Sequence, residues 1–195
     1  MHYEEIYEGI DSAAVGSARM LYDPSTGTKK CTAVSRDPTR YTCQTLNMGA
    51  ASGLVAVDID KPVNRRRDPA DFFEKFRDEL EATLVQVTAR DDGSNAGYHR
   101  HYIFHLPEDP NSLCHNTNIG VDNTSVDLIS TGSVIFAEPC CLAPDMCYRW
   151  QDGFDLSKVK KMSPELEKAV CIKTRSKKAQ LDELWGGDSS GESGP

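Results

Sequence analysis

The chain has 195 residues, room for one domain or one domain and a tail, since domains commonly run about 100–200 residues. It is 38% hydrophobic, 27% charged and 8% aromatic, an ordinary globular composition, and no apolar run approaches the roughly 18 residues that a membrane-spanning helix needs. Thirty acidic against 22 basic residues give a formal net charge of −8, which by itself argues against a nucleic-acid binder.

The first residues, Met1 to Ile10, are acidic and lack the basic start of a signal peptide. The segment that follows alternates polar loops with short apolar pieces. Apart from a turn signal at Asp23-Pro24-Ser25-Thr26-Gly27, its pattern assigns no element. Leu54 to Asp60 is a continuous apolar run closed by two acids and preceded by Gly49 and Ser52-Gly53, which describes a buried strand. Pro62 to Arg67 is a basic loop. Asp68 then reads as an N-cap and Pro69 as a first helical position, opening a helix with Phe72, Phe73, Phe76, Leu80 and Leu84 on one face. Thr83 to Thr88 alternates like a strand, Gly93 to Gly97 is a loop, and Tyr98 to Leu106 is a second strand closed by Pro107. Ser125 to Ile129 and Ser133 to Ala137 read as a hairpin around Thr131-Gly132. Ser163-Pro164-Glu165 opens a final helix with Leu166, Ala169 and Val170 facing inward. Gly186 to Pro195 is rich in glycine, serine and acids. The expectation is an α+β sheet domain over residues 1–185 with helices on one face, followed by a disordered tail or linker over 186–195.

The seven cysteines include no C-x-x-C pair and read as free thiols in a reducing, intracellular compartment. Cys114, His115, Cys140, Cys141 and Cys147 carry zinc-ligand chemistry. Their spacing is not that of paired knuckles, and scattered thiols are the favoured reading over Zn2+.

Asp58 and Asp60 lie two apart on a strand, so they share a face. Two like charges side by side are unfavourable unless a cation lies between them, and Mg2+ and Mn2+ favour carboxylate oxygens. Asp127 falls inside an apolar strand, where an unpaired acid is costly to bury. Should its strand lie beside that of Asp58, three carboxylates converge and can hold two metals, as in phosphoryl and nucleotidyl transfer. His99, His101 and His105 alternate along one strand and share a face, as metal ligands or as donors to a phosphate. Two basic stretches stand out. Lys61 to Arg77 holds six basic residues against three acids, and Lys158 to Lys178 holds eight against two. Either contacts phosphates or is solvated surface.

Three of these segments carry a resemblance. Ser52-Gly53-Leu54-Val55-Ala56-Val57-Asp58-Ile59-Asp60, led in by Asn47-Met48-Gly49, resembles the first motif of the primase-polymerase branch of the archaeo-eukaryotic primase superfamily. Gly93 to Phe104 resembles the second, a small-residue loop running into a strand with a histidine. Val126 to Pro139 resembles the third, with its aspartate, glycine turn and closing proline. The likeness runs from about Asn47 to Pro139. The resemblance implies an RRM-like antiparallel or mixed catalytic sheet with flanking helices and a small N-terminal α/β part. It implies a DNA primase or DNA polymerase, with Asp58, Asp60 and Asp127 as catalytic and metal residues for two Mg2+ or Mn2+ ions. The nucleotide falls to His101 or His99, with Ser94 and Asn95 in the loop. It further implies a DNA template and primer, (d)NTPs, and a helicase domain as partner, at work in the cytoplasm or at a viral or plasmid replication site. Arg65, Arg66 and Arg67, just after the first motif, are the candidate DNA contacts. Departures exist: Asn95-Ala96-Gly97 replaces a glycine pair, Leu128-Ile129-Ser130 lacks the usual base, and Glu138 precedes the proline. They leave room for a weakened or inactive module that binds nucleic acid without synthesis. A D-x-D nucleotide-sugar glycosyltransferase explains Asp58 and Asp60 but leaves Asp127 and the histidines idle. The net charge adds that the domain alone grips DNA weakly and loses it readily with salt.

Overall fold

The structure, a computed structural model, describes residues 3–62, 66–91, 93, 97–108 and 124–170. After a helical turn, α1 (Tyr3–Ile6), the unassigned N-terminal region builds three strands, β1 (Val15–Asp23), β2 (Thr28–Ser35) and β3 (Cys43–Asn47). They join β8 (Val134–Ala137) in a four-stranded sheet of order β2-β1-β3-β8. A second sheet has order β11-β5-β6-β4-β7, formed by β4 (Leu54–Ile59), β5 (Leu84–Val87), β6 (Arg100–His105), β7 (Val126–Ile129) and β11 (Arg149–Trp150). A small hairpin, β9 (Cys141–Ala143) with β10 (Met146–Cys147), stands apart. All these strand pairs are antiparallel, and the mixture of helices with antiparallel sheets is α+β as expected.

Sidedness explains the run at residues 54–59. Val55, Val57 and Ile59 of β4 face the helices α2 (Ala70–Ala82) and α3 (Pro164–Val170), packing with Phe73, Phe76, Leu80, Leu166 and Val170. Leu54 and Ala56 face the other way, onto Val15, Leu46, Ile135 and Ala137 of the first sheet. β4 is therefore covered on both faces, which is why it reads as continuous rather than alternating. The layers run helices, five-stranded sheet, four-stranded sheet. The final helix holds as expected: Leu166 and Val170 are fully buried and Ala169 packs beside them. No helix among the described residues is long and apolar enough to cross a membrane.

Four expectations need correction. α2 ends at Ala82, and Leu84 belongs to β5. Thr83 takes an extended backbone (φ −94°, ψ −179°), donates its hydroxyl to the Ile103 carbonyl and accepts the Lys160 amide, so the strand begins there. At the other end Pro69, not Asp68, occupies the cap position, although the Asp68 carboxylate still accepts the Ala70 amide at 2.9 Å. β7 and β8 form no hairpin. β7 completes the second sheet against β4, while β8 completes the first against β3, the chain crossing between layers at Ser130–Ser133. Beside this crossing runs the link from β3 to β4, where Gly49 has φ +84° and a Cβ would lie 2.1 Å from Thr131 Oγ1. Finally, four of the cysteines are not free: Cys43 bonds Cys140 and Cys141 bonds Cys147, while Cys31 is free and exposed. Strand pairing causes this, since β9 and β10 set Cys141 opposite Cys147. Paired thiols do not support a reducing compartment. Cys114 and His115 of the zinc set, and the 186–195 segment, lie outside the described residues.

Candidate active site

One row of side chains crosses the second sheet. In register, Gln86 of β5 faces His101 of β6, His101 faces Asp58 of β4, and Asp58 faces Asp127 of β7. Directly opposite residues of antiparallel strands lie about 4.5–5.5 Å apart at Cα. Asp58 thus stands between a histidine and a second carboxylate, on the face turned toward the first sheet. Asp60 sits one residue beyond β4, its amide bonded to the Ser125 carbonyl at 3.0 Å. His99 reaches it from the bend before β6, Nδ1–H donating to Asp60 Oδ1 at 2.8 Å. His99 holds a left-handed backbone (φ +56°), a strained conformation that needs outside support. Arg100 supplies it, donating to the Tyr98 and His99 carbonyls at 2.9 and 3.1 Å while pairing with Asp91 at 3.2 Å. Gly97 fits just ahead because a Cβ there would meet the Phe73 ring at 2.7 Å.

His101 is buried. Its Nδ1 contacts Gln86 Oε1 at 2.8 Å, and an amide oxygen only accepts, so Nδ1 carries the proton and Nε2 presents its lone pair toward Asp58, 3.6 Å from Oδ1. Burial first, and the Lys29 charge second, push the His101 pKa down to about 3, with Asp60 opposing. Asp58 is raised well above the usual carboxylate range by burial and by the charges of Asp60 and Asp127, against Lys29 and Arg66. Asp127 is raised too, by burial first, although its bond with Arg66 at 2.9 Å opposes the rise. For Asp60, burial is the largest influence and acts upward. The His99 hydrogen bond and charge, with smaller contributions from His101 and Lys29, outweigh it, and the net shift is downward.

Two buried carboxylate oxygens, Asp58 Oδ1 and Asp127 Oδ1, have no hydrogen-bond partner, and they belong to directly paired residues. An orphaned buried anion is unfavourable, and a hard divalent cation is the partner such oxygens suit. Among the described residues, no three histidine, cysteine, aspartate or glutamate side chains are already gathered so as to hold an ion. The fit therefore rests on the two orphaned oxygens with Asp60 adjacent, not on a closed cage.

Of the residues singled out in the sequence, Asp58, Asp60, Asp127, His99 and His101 come together. His105 does not: it is exposed, opposite Leu54 at the far end of β6. Arg66 turns inward to Asp127, whereas Arg67 is exposed beside the start of β7, its carbonyl accepting the Ser125 amide at 3.3 Å. Arg65, Ser94 and Asn95 lie outside the described residues. The sequence reading passed over Gln86, Lys29 and Tyr148. Gln86 gave a signal, a polar residue inside Leu84-Val85-Gln86-Val87. Lys29 and Tyr148 gave none, since only the apposition of the sheets brings them near. The chain matches no family model and no curated protein.

Proposed function

We propose that the protein is a template-dependent nucleotidyl transferase, a DNA primase or DNA polymerase of the primase-polymerase kind. The observation that carries the reading is the row His101–Asp58–Asp127, with Asp60 two residues along the chain from Asp58 and held by His99. Residues from three separate motifs of the resemblance, in three strands, meet at one place. The second sheet supports it. Counting from β4, its first four strands lie in the order β5-β6-β4-β7, with α2 joining the first to the second, which fits an RRM-like core. The connection between β6 and β7 includes residues 109–123, outside the described residues.

In this reading Asp58, Asp127 and Asp60 hold two Mg2+ or Mn2+ ions. The chemistry these supply when bound is activation of the primer 3′-hydroxyl and charge neutralisation at the leaving pyrophosphate. The protein's own residues prepare the place. Burial keeps water from Asp58 Oδ1, Arg66 steadies Asp127, and His99 keeps Asp60 ionised and oriented. His101 and His99 close the nucleotide side with Ser94 and Asn95, and exposed Arg67, with Arg65, meets the DNA backbone. A helicase domain is the expected partner. The flanking of Asp58 by Asp127 and His101 disfavours a D-x-D glycosyltransferase, which has no use for either.

A primer-template extension assay with nucleotides and Mg2+ or Mn2+ tests this. The native chain should extend the primer according to the template, and Asp58→Ala should lower the rate by at least about a thousandfold. Template binding with no synthesis at any metal concentration, unchanged by Asp58→Ala, would instead select a non-catalytic binding module.

A further inference from the structure

Lys29 lies on β2, in the other sheet from the carboxylates. Its ammonium donates to the Tyr148 hydroxyl at 2.8 Å and stands over the Tyr148 and Phe136 rings, 5.5 and 5.9 Å from their centroids. Tyr148 is buried, and its ring stacks on that of His101 at 6.2 Å. Lys29 is thus one aromatic ring away from the acid row, and its charge reaches Asp58, Asp60 and His101. Among the described residues it pairs with no carboxylate. A lysine held by a phenol and two ring faces is fixed in orientation rather than swinging in water.

Donor accounting says what it is held for. A phosphate accepts hydrogen bonds and needs N–H groups around it. The one N–H of neutral His101 goes to Gln86, and the Nδ1–H of His99 goes to Asp60. Lys29 has three N–H bonds and spends one on Tyr148.

Resting on the nucleotidyl-transfer reading, we propose that Lys29, on the first sheet, is the phosphate-binding residue of the site, its ammonium taking a phosphate oxygen of the incoming nucleoside triphosphate, with Tyr148 as the positioning residue that holds it. A backbone phosphate of the template offers the same chemistry, so nucleotide and DNA are measured separately. Titration calorimetry on the full chain with ATP or dATP, without DNA, should show about tenfold weaker binding for Lys29→Met and about threefold for Tyr148→Phe. Mn2+ alone, followed by paramagnetic resonance, should bind Lys29→Met at least as tightly as the native chain, because a positive charge has left the carboxylates. Opposite signs for the two ligands separate a lost phosphate contact from a damaged fold, which weakens both. Nucleotide affinity within twofold of native overturns the proposal, as does a loss confined to binding of a single-stranded DNA. A native chain that binds Mn2+ but neither nucleotide takes down the nucleotidyl-transfer reading along with it, whereas native nucleotide binding untouched by Lys29→Met takes down Lys29 alone.

Discussion

Asp58 is a carboxyl in the middle of a covered strand, with a carboxylate on one side and an uncharged imidazole on the other. Its raised pKa means that the folded chain holds that proton more tightly than the unfolded chain. The stability it contributes is complete below the ordinary aspartate range, near 4, and is lost as pH rises through the range up to the raised value. As pH rises above the ordinary aspartate range, without metal, Asp58 therefore increasingly weakens the fold. Asp58→Asn should raise the melting temperature of chelator-treated protein at pH 7 by roughly 2–4 °C, with the gain shrinking as pH falls toward 4. A melt followed by circular dichroism that drops instead would mean that Asp58 stabilises the metal-free fold. Asp127 was legible in the sequence because an acid inside an apolar strand demands a partner, and the partners, Asp58 and Arg66, lie beside it. Gln86 carried the same kind of signal. Lys29 did not, since nothing near it in sequence distinguishes one strand lysine from its neighbour Lys30.

Elements were legible where burial imposed a pattern. β4 and β6 lie inside the five-stranded sheet; β4 reads as an apolar run and β6 has the apolar centre Tyr102-Ile103-Phe104. β2 is an edge strand, largely exposed, and offers neither period nor apolar run. The end of α2 was misplaced because Leu84 continues the four-residue spacing of Phe76 and Leu80 while packing against a different cluster. Thr131-Gly132 announced a turn, but a turn signal does not say which sheet the next strand joins. The answer lies in the tight passage at Gly49. Its left-handed backbone and the absence of a side chain let two chain crossings touch, with Met48 donating to the Ser133 carbonyl at 2.9 Å. Gly49→Ala introduces both a strained φ and a Cβ inside Thr131, and should cost about 3 kcal/mol or more in chemical denaturation. A loss under about 1 kcal/mol would mean that the passage yields easily.

At the scale of the whole molecule, two covalent ties hold the first sheet and its hairpin. The Cys43–Cys140 bond spans 97 residues of chain and should, from loop closure in the unfolded state, contribute about 4–5 kcal/mol. Excess reductant should therefore lower the melting temperature by roughly 8–20 °C. A melt unmoved by reductant would mean that the four cysteines are thiols in solution. The two stacked sheets are joined at the Gly49 and Thr131 crossings, and β4 and β1 both run away from that joint. Asp58 is four residues along β4 from Leu54, and Tyr22, paired with Lys29, is seven along β1 from Val15. At about 3.3 Å per residue these are arms of roughly 13 and 23 Å, so a rocking of about 5° at the joint moves the Lys29 end by about 2 Å. A change in the packing of Gly49 against Thr131 would therefore reach the spacing between ammonium and carboxylates with the leverage of these arms.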